Sequence, residues 1–146
     1  MRWRVKLGIT LSLLATVFAT TIVAPTPALA GTCLYTACNG SDPHGTGCDQ
    51  PEDQIWTLHT IWPEIAGALE LRYSPSCGAA WARYTNTFGV PGRVEIYGCG
   101  EGFCLVKWRK LVETPDRVVW SPMLSYTYRV QACVLSNGNR YCTAQF

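Results

Sequence analysis

Eight cysteines constrain this chain more than any other feature: Cys33, Cys38, Cys48, Cys77, Cys99, Cys104, Cys133 and Cys142. All of them follow a segment with the marks of an export signal. Arg2, Arg4 and Lys6 give a basic start, Leu7 to Ala24 carries no charge, and Ala28-Leu29-Ala30 is the small-residue pattern of a cleavage site. Residues 1–30 are therefore expected to be a signal peptide, and residues 31–146 a single secreted domain, extracellular or periplasmic. The apolar run is near the lower length for a membrane span, but Pro25, Pro27 and the cleavage pattern oppose a retained anchor. Thr32 spoils the lipoprotein box before Cys33. An even cysteine count in a small exported domain implies a disulfide framework.

Three of the twelve basic residues sit in the signal, which leaves nine against ten acidic ones, about −1 with histidine neutral. The one basic run, Lys107-Trp108-Arg109-Lys110, is too short for a nucleic-acid patch and reads as a solvated strand face. No nucleic-acid partner and no membrane span after cleavage are expected.

Alternation of apolar and polar residues sets the fold class. It is clean over Leu69–Tyr73, with Leu69, Leu71 and Tyr73 inward and Glu70 and Arg72 outward. It recurs at Arg93–Tyr97, Phe103–Leu111 and Tyr126–Leu135, and more weakly at Gln54–Trp62. In Phe103–Leu111 the pattern puts Cys104, Val106 and Trp108 on one face and Leu105, Lys107 and Arg109 on the other. With Val118–Trp120 and the closing Arg140–Phe146, about seven strands are predicted. The fold class is all-β: a small disulfide-stapled β-sandwich or partly open β-barrel. Ser76–Trp81 alone offers a helical turn, and Trp81 reads as a core plug. Residues 31–53, rich in glycine and turn dipeptides, form an irregular cysteine-rich N-terminal segment.

Two disulfides follow from hairpin register. Asn137-Gly138 suits a type I′ turn, which needs positive φ at both positions. Counting back from that turn opposes Cys133 to Cys142, within bridging distance. A loop at Glu101-Gly102 opposes Cys99 to Cys104 in the same way. For the remaining four, three pairings are open; Cys33–Cys48 with Cys38–Cys77 is the expectation, so that Cys77 ties the segment to the sheet.

The run Leu69-Glu70-Leu71-Arg72-Tyr73-Ser74-Pro75-Ser76-Cys77-Gly78-Ala79-Ala80-Trp81-Ala82-Arg83, after Cys33-x4-Cys38-x3-Asp42-Pro43-x4-Cys48, resembles the YjfA-like family of bacterial secreted proteins, a domain of unknown function. Val130-Gln131-Ala132-Cys133 and Cys142-Thr143 fit as well, so the resemblance spans nearly all of the exported part. It implies export. Some relatives end a helix-turn-helix regulator with this domain, which implies sensing or binding. Cys99 and Cys104 depart from the family pattern as an added staple, and no catalytic residues carry over.

No catalytic constellation is recognised. His44 and His59 stand in no arrangement with a serine, and Cys-x-x-Cys zinc spacing is absent. Asp42, Asp49, Glu52 and Asp53 read as turn-forming acids, with no calcium-loop spacing. No metal or cofactor is expected. Glu70 and Glu95 would serve a sugar hydrolase only if their polar strand faces met; pairing of Glu70 with Arg72 or Arg83 is the plainer reading. Five tryptophans and seven tyrosines follow residue 30, more than a small core hides easily. The function expected is a secreted, disulfide-stabilised binding domain for an extracellular protein or cell-surface polymer. Tyr97, with Arg93 on the same predicted face, is the first candidate contact, and Arg72 and Arg83 on the polar face of their strands complete the candidate set. An inhibitor of a secreted enzyme, built on the rigid N-terminal loops, is the alternative.

Overall fold

Nine strands form where the alternation predicts about seven: β1 (Trp56–Ile61), β2 (Ala68–Ser74), β3 (Ala79–Thr85), β4 (Gly92–Cys99), β5 (Cys104–Val112), β6 (Val118–Trp120), β7 (Leu124–Ser125), β8 (Arg129–Ser136) and β9 (Asn139–Cys142). The computed structural model describes residues 31–50, 54–64, 67–113 and 116–146. The expected signal peptide lies outside these residues. The expected helical turn at Ser76–Trp81 does not form: Gly78 takes φ +58° in a tight turn, and β3 begins at Ala79.

The strands make two antiparallel sheets. The first has the order β1-β2-β3-β6, with β7 also pairing to β3; the second has the order β5-β4-β8-β9. They do not close on each other, so the architecture is a sandwich. Side chains alternate across a strand, and the inward set of both sheets makes one core. Leu69, Leu71, Ala80, Ala82 and Tyr84 of the first sheet meet Val94, Ile96, Val130, Ala132 and Val134 of the second.

A third layer covers part of the first sheet's outer face. A 3-10 turn at Tyr35–Cys38 and the loop behind it bury Cys38 and Cys48 against Cys77, Ala79, Trp81 and Met123. Backbone bonds fasten this cap: Tyr35 N–H to Cys77 O at 2.7 Å, Gly40 N–H to Met123 O at 3.0 Å, and Met123 N–H to Ser41 O at 2.8 Å. Trp81 is therefore buried, but under the cap, outside the inter-sheet core. Its partner in register is outward Arg72, which fixes its side of the sheet.

The hairpins keep the register counted from their turns. Asn137 and Gly138 have φ +50° and +76°, Cys133 pairs with Cys142, and the disulfide joins Cα atoms 4.1 Å apart. Cys99 pairs with Cys104, and their disulfide joins Cα atoms 4.0 Å apart. The cap differs from expectation. Cys33 bonds Cys38 and Cys48 bonds Cys77, in place of Cys33–Cys48 and Cys38–Cys77. All four sulfurs lie within 4.8 Å of one another, so proximity does not select the pairing. The premise that Cys77 anchors the cap still describes the structure; Cys48 is the partner. All eight cysteines are paired, the pattern of an oxidising compartment.

One alternation breaks. β5 carries a bulge opposite Ile96 and Tyr97, and the extra residue, Lys107, shifts everything after it by one. Trp108 pairs with inward Ile96, whereas Arg109 pairs with outward Glu95. The predicted partition of β5 thus holds only up to Val106.

Candidate functional site

The outer face of the first sheet gathers charge and aromatic surface beside the cap. The β2–β3 register sets Glu70 opposite Arg83 and Arg72 opposite Trp81, and β6 adds Trp120 opposite Arg83. Arg72, Trp81, Arg83 and Trp120, with Asp49 and Ile55, line a cleft of ≈ 200 Å³. That is smaller than a drug-sized pocket.

The polar groups are organised around one carboxylate. Glu70 pairs through one oxygen with Arg72 Nη1 at 3.5 Å and through the other with Arg83 Nη1. Arg72 Nε is buried with no hydrogen-bond partner among the described residues. An unmet buried donor is uncommon, and here it belongs to a side chain that lines a cleft. The charges of Arg72 and Arg83 are balanced by Glu70 and Asp49.

Trp120 is held in place from the cap side. Its Nε1–H donates to Asp42 at 3.2 and 3.3 Å, and Lys110 Nζ lies 5.7 Å from its ring. Burial alone would raise the Asp42 pKa. The N–H groups of Gly45, Trp120 and His44, with the charge of Lys110, outweigh it and hold the carboxyl below its ordinary 3.8. A carboxyl depressed in the folded state contributes stability above its unfolded pKa and loses it as pH falls through the folded value. Acid titration followed by tryptophan emission should therefore show Trp120 loosening only below pH 3.8. Asp42→Asn should remove that step, and a step unchanged in Asp42→Asn would refute the assignment.

The other candidates lie elsewhere. Arg93, Glu95 and Tyr97 share the outer face of the second sheet, across the sandwich. Arg93 Nε bonds Glu95 at 2.7 Å, and Tyr97 O–H donates to the other oxygen of Glu95 at 2.6 Å. Tyr97 is only 8 % exposed. Burial, then its bond to Glu95, raises its pKa above 10.0, so it stays a donor. Tyr97 is a structural strut, not the surface contact expected. The sequence candidates thus separate into Arg72 and Arg83 in the cleft and Arg93 and Tyr97 on the opposite face.

The same geometry overturns the hydrolase pair. Glu70 and Glu95 lie on opposite outer faces of a two-sheet sandwich, whose sheets alone are about 10 Å apart. They cannot flank one glycosidic bond. The two histidines stand apart from both carboxylates: His44 Nδ1 contacts Asp49 at 3.2 Å, and His59 Nδ1 accepts the Ala144 N–H at 3.3 Å. Cys33, Cys38, Cys48 and Cys77 have the clustering of a four-sulfur metal site, but as disulfides they offer no thiolate.

The aromatic surplus is divided. Trp62, Trp56 and Trp108 are exposed while Trp81 is buried. The sequence marks Asp49 only as a turn-forming acid and Ile55 and Trp120 only as strand residues; no local pattern joins them, since the fold brings them in from distant segments. Among the described residues no helix is long and apolar enough to cross a membrane. A family described as "Protein of unknown function (DUF2690)" matches residues 36–133. No curated protein and no solved structure matches the chain.

Proposed function

The chain belongs to the family of unknown function DUF2690, and from that premise we propose that it is an exported binding domain whose cleft takes one saccharide unit of a cell-surface polymer. Export rests on residues 1–30 and on the disulfide-rich fold, and the YjfA-like resemblance agrees with it. The observation that carries the reading is the cleft's chemistry. The partly exposed indole of Trp120, a balanced set of charges and the unmet donor Arg72 Nε meet in a space for a small polar group, which buried Trp81 also lines. Indole faces suit the apolar faces of a pyranose. A balanced site favours hydroxyl and amide oxygens over a free anion, because no net charge is available to offset the anion's desolvation.

The cap loops give the inhibitor alternative less support. Cys38, Pro43 and Cys48 are spent on packing against the sheet, so those loops do not project as an inhibitory wedge.

Titration calorimetry with neutral N-acetylated oligosaccharides and with acidic uronate oligosaccharides tests the proposal. Wild type should bind a neutral sugar. Trp120→Ala should weaken that binding at least tenfold while the disulfide map stays intact. Absence of binding to either class, or equal binding by Trp120→Ala, would overturn it.

A further inference from the structure

The second sheet presents an independent surface. Its four strands carry six of the nine basic residues that follow the signal segment: Arg93, Lys107, Arg109, Lys110, Arg129 and Arg140. They carry one acid, Glu95, which is 1 % exposed and already bonded to Arg93 and Tyr97.

Register arranges part of this charge in a row. At the end of the sheet near the Asn137-Gly138 turn, Leu111, Arg93, Leu135 and Arg140 stand side by side across β5, β4, β8 and β9. Arg109 follows one step along β5, on the same outer face, opposite Glu95. Leu111 is 63 % exposed. Between the leucines and Arg93 runs a shallow depression of ≈ 320 Å³, closed at one end by the turn. Leucine and arginine thus alternate across a face about 14 Å wide, at the usual strand spacing.

We infer that this face docks on an anionic phospholipid surface, with Arg93, Arg109 and Arg140 against phosphates and Leu111 and Leu135 at the acyl boundary. Charge complementarity selects the partner: surface-facing basic residues add attraction to anionic lipid, and interleaved apolar groups add burial. Protection of an edge strand explains lysines on β5. The same holds for Arg140 on the other edge strand, β9, but not for Leu135, which lies on the inner strand β8 beside Arg93 and Arg140. A second copy of the chain is a poor occupant. Antiparallel pairing of two β5 edges about Trp108 would oppose Lys107 to Arg109 twice, and like charges directly opposite are destabilising. Face-to-face packing would bring two arginine rows together. A face that spreads leucines and arginines across four strands fits an extended interface better than it fits a single acidic strand.

The experiment is co-sedimentation of the disulfide-bonded protein with two kinds of vesicle. One is phosphatidylcholine alone; the other is phosphatidylcholine with phosphatidylglycerol. The protein should partition at least tenfold more strongly onto the anionic vesicles. Arg109→Glu with Arg140→Glu should reduce that partitioning at least tenfold, and Leu111→Ser several-fold; all three side chains are exposed, so the fold should survive, as circular dichroism would verify. Equal partitioning onto both vesicles, no partitioning, or full retention by the charge-reversed variant would overturn the inference. So would capture of the protein by soluble polyglutamate in preference to the vesicles, which would indicate an acidic polypeptide instead.

Discussion

Replacing Cys48 and Cys77 together by serine should destabilise the domain by roughly 3.5 kcal/mol in chain entropy alone, the largest effect expected of any disulfide in the molecule. The reason is separation. Cys48–Cys77 spans 29 residues, while Cys33–Cys38 and Cys99–Cys104 span 5 and Cys133–Cys142 spans 9. The short loops constrain the unfolded chain by about 2–3 kcal/mol each. Burial adds to the cost, because both sulfurs sit in the cluster with Trp81 and Met123 and two serine hydroxyls there would lack partners. For a domain of ordinary stability, about 5–15 kcal/mol, this is a large fraction of the whole. The cap should leave the sheet first. Gly31 packs so closely on this disulfide that a Cβ there would lie 2.2 Å from Cys77 Sγ, so the segment's seat is the bond itself. Urea unfolding should show a midpoint below that of Cys33→Ser with Cys38→Ser, together with red-shifted emission as Trp81 and Trp120 meet water. Equal midpoints for the two double variants would show that the cap is held by its hydrogen bonds, and the argument from loop length would fail.

That prediction concerns the part of the fold least legible in the sequence. The hairpin disulfides could be counted because a two-residue Asn-Gly turn fixes which residues oppose each other, and opposition fixes distance. The cap has no such ruler. Its four sulfurs converge within 4.8 Å, so neither spacing nor proximity distinguishes Cys33–Cys38 from Cys33–Cys48. The side of each strand was legible wherever pairing is regular, as for Leu69, Leu71, Val94 and Ile96. It was lost after Lys107, because a bulge leaves no mark in an apolar–polar pattern. Trp81 was legible as a buried core residue, but not the layer that buries it. A large apolar residue among outward ones reads as a core residue, and only the presence of a third layer shows that the outer face has a core of its own. The cleft was half legible. Arg72 and Arg83 were visible as polar-face residues on adjacent strands, whereas Asp49, Ile55 and Trp120 arrive from positions 17 to 48 residues away from Arg72.

Glu70→Gln carries the second large expectation, because one carboxylate serves two guanidiniums. Arg83 faces Glu70 directly across the β2–β3 ladder, and Arg72 reaches it from two positions along the same strand. Hydrogen bonds to charged groups contribute about 1.5–3 kcal/mol each, and removing one partner leaves the other uncompensated. The variant should lose about 2–3 kcal/mol of stability, a smaller loss than two full bonds because Arg83 is partly solvated. Its functional consequence has a definite sign. With Glu70 neutral, Arg72, Arg83 and Asp49 leave the cleft at net +1. Affinity for a neutral sugar should fall at least tenfold as the arginines lose their fixed positions, and an acidic sugar should gain relative to it. Glu95→Gln is the matching control. It removes the charge on the opposite face that holds Arg93 and Tyr97, so it should lower stability while leaving sugar selectivity at the cleft unchanged. If both variants altered selectivity equally, the site would not be the cleft. If Glu70→Gln lowered stability and left selectivity intact, Glu70 would be a brace for the strands and the ligand would be read by Trp120 and Arg72 Nε alone.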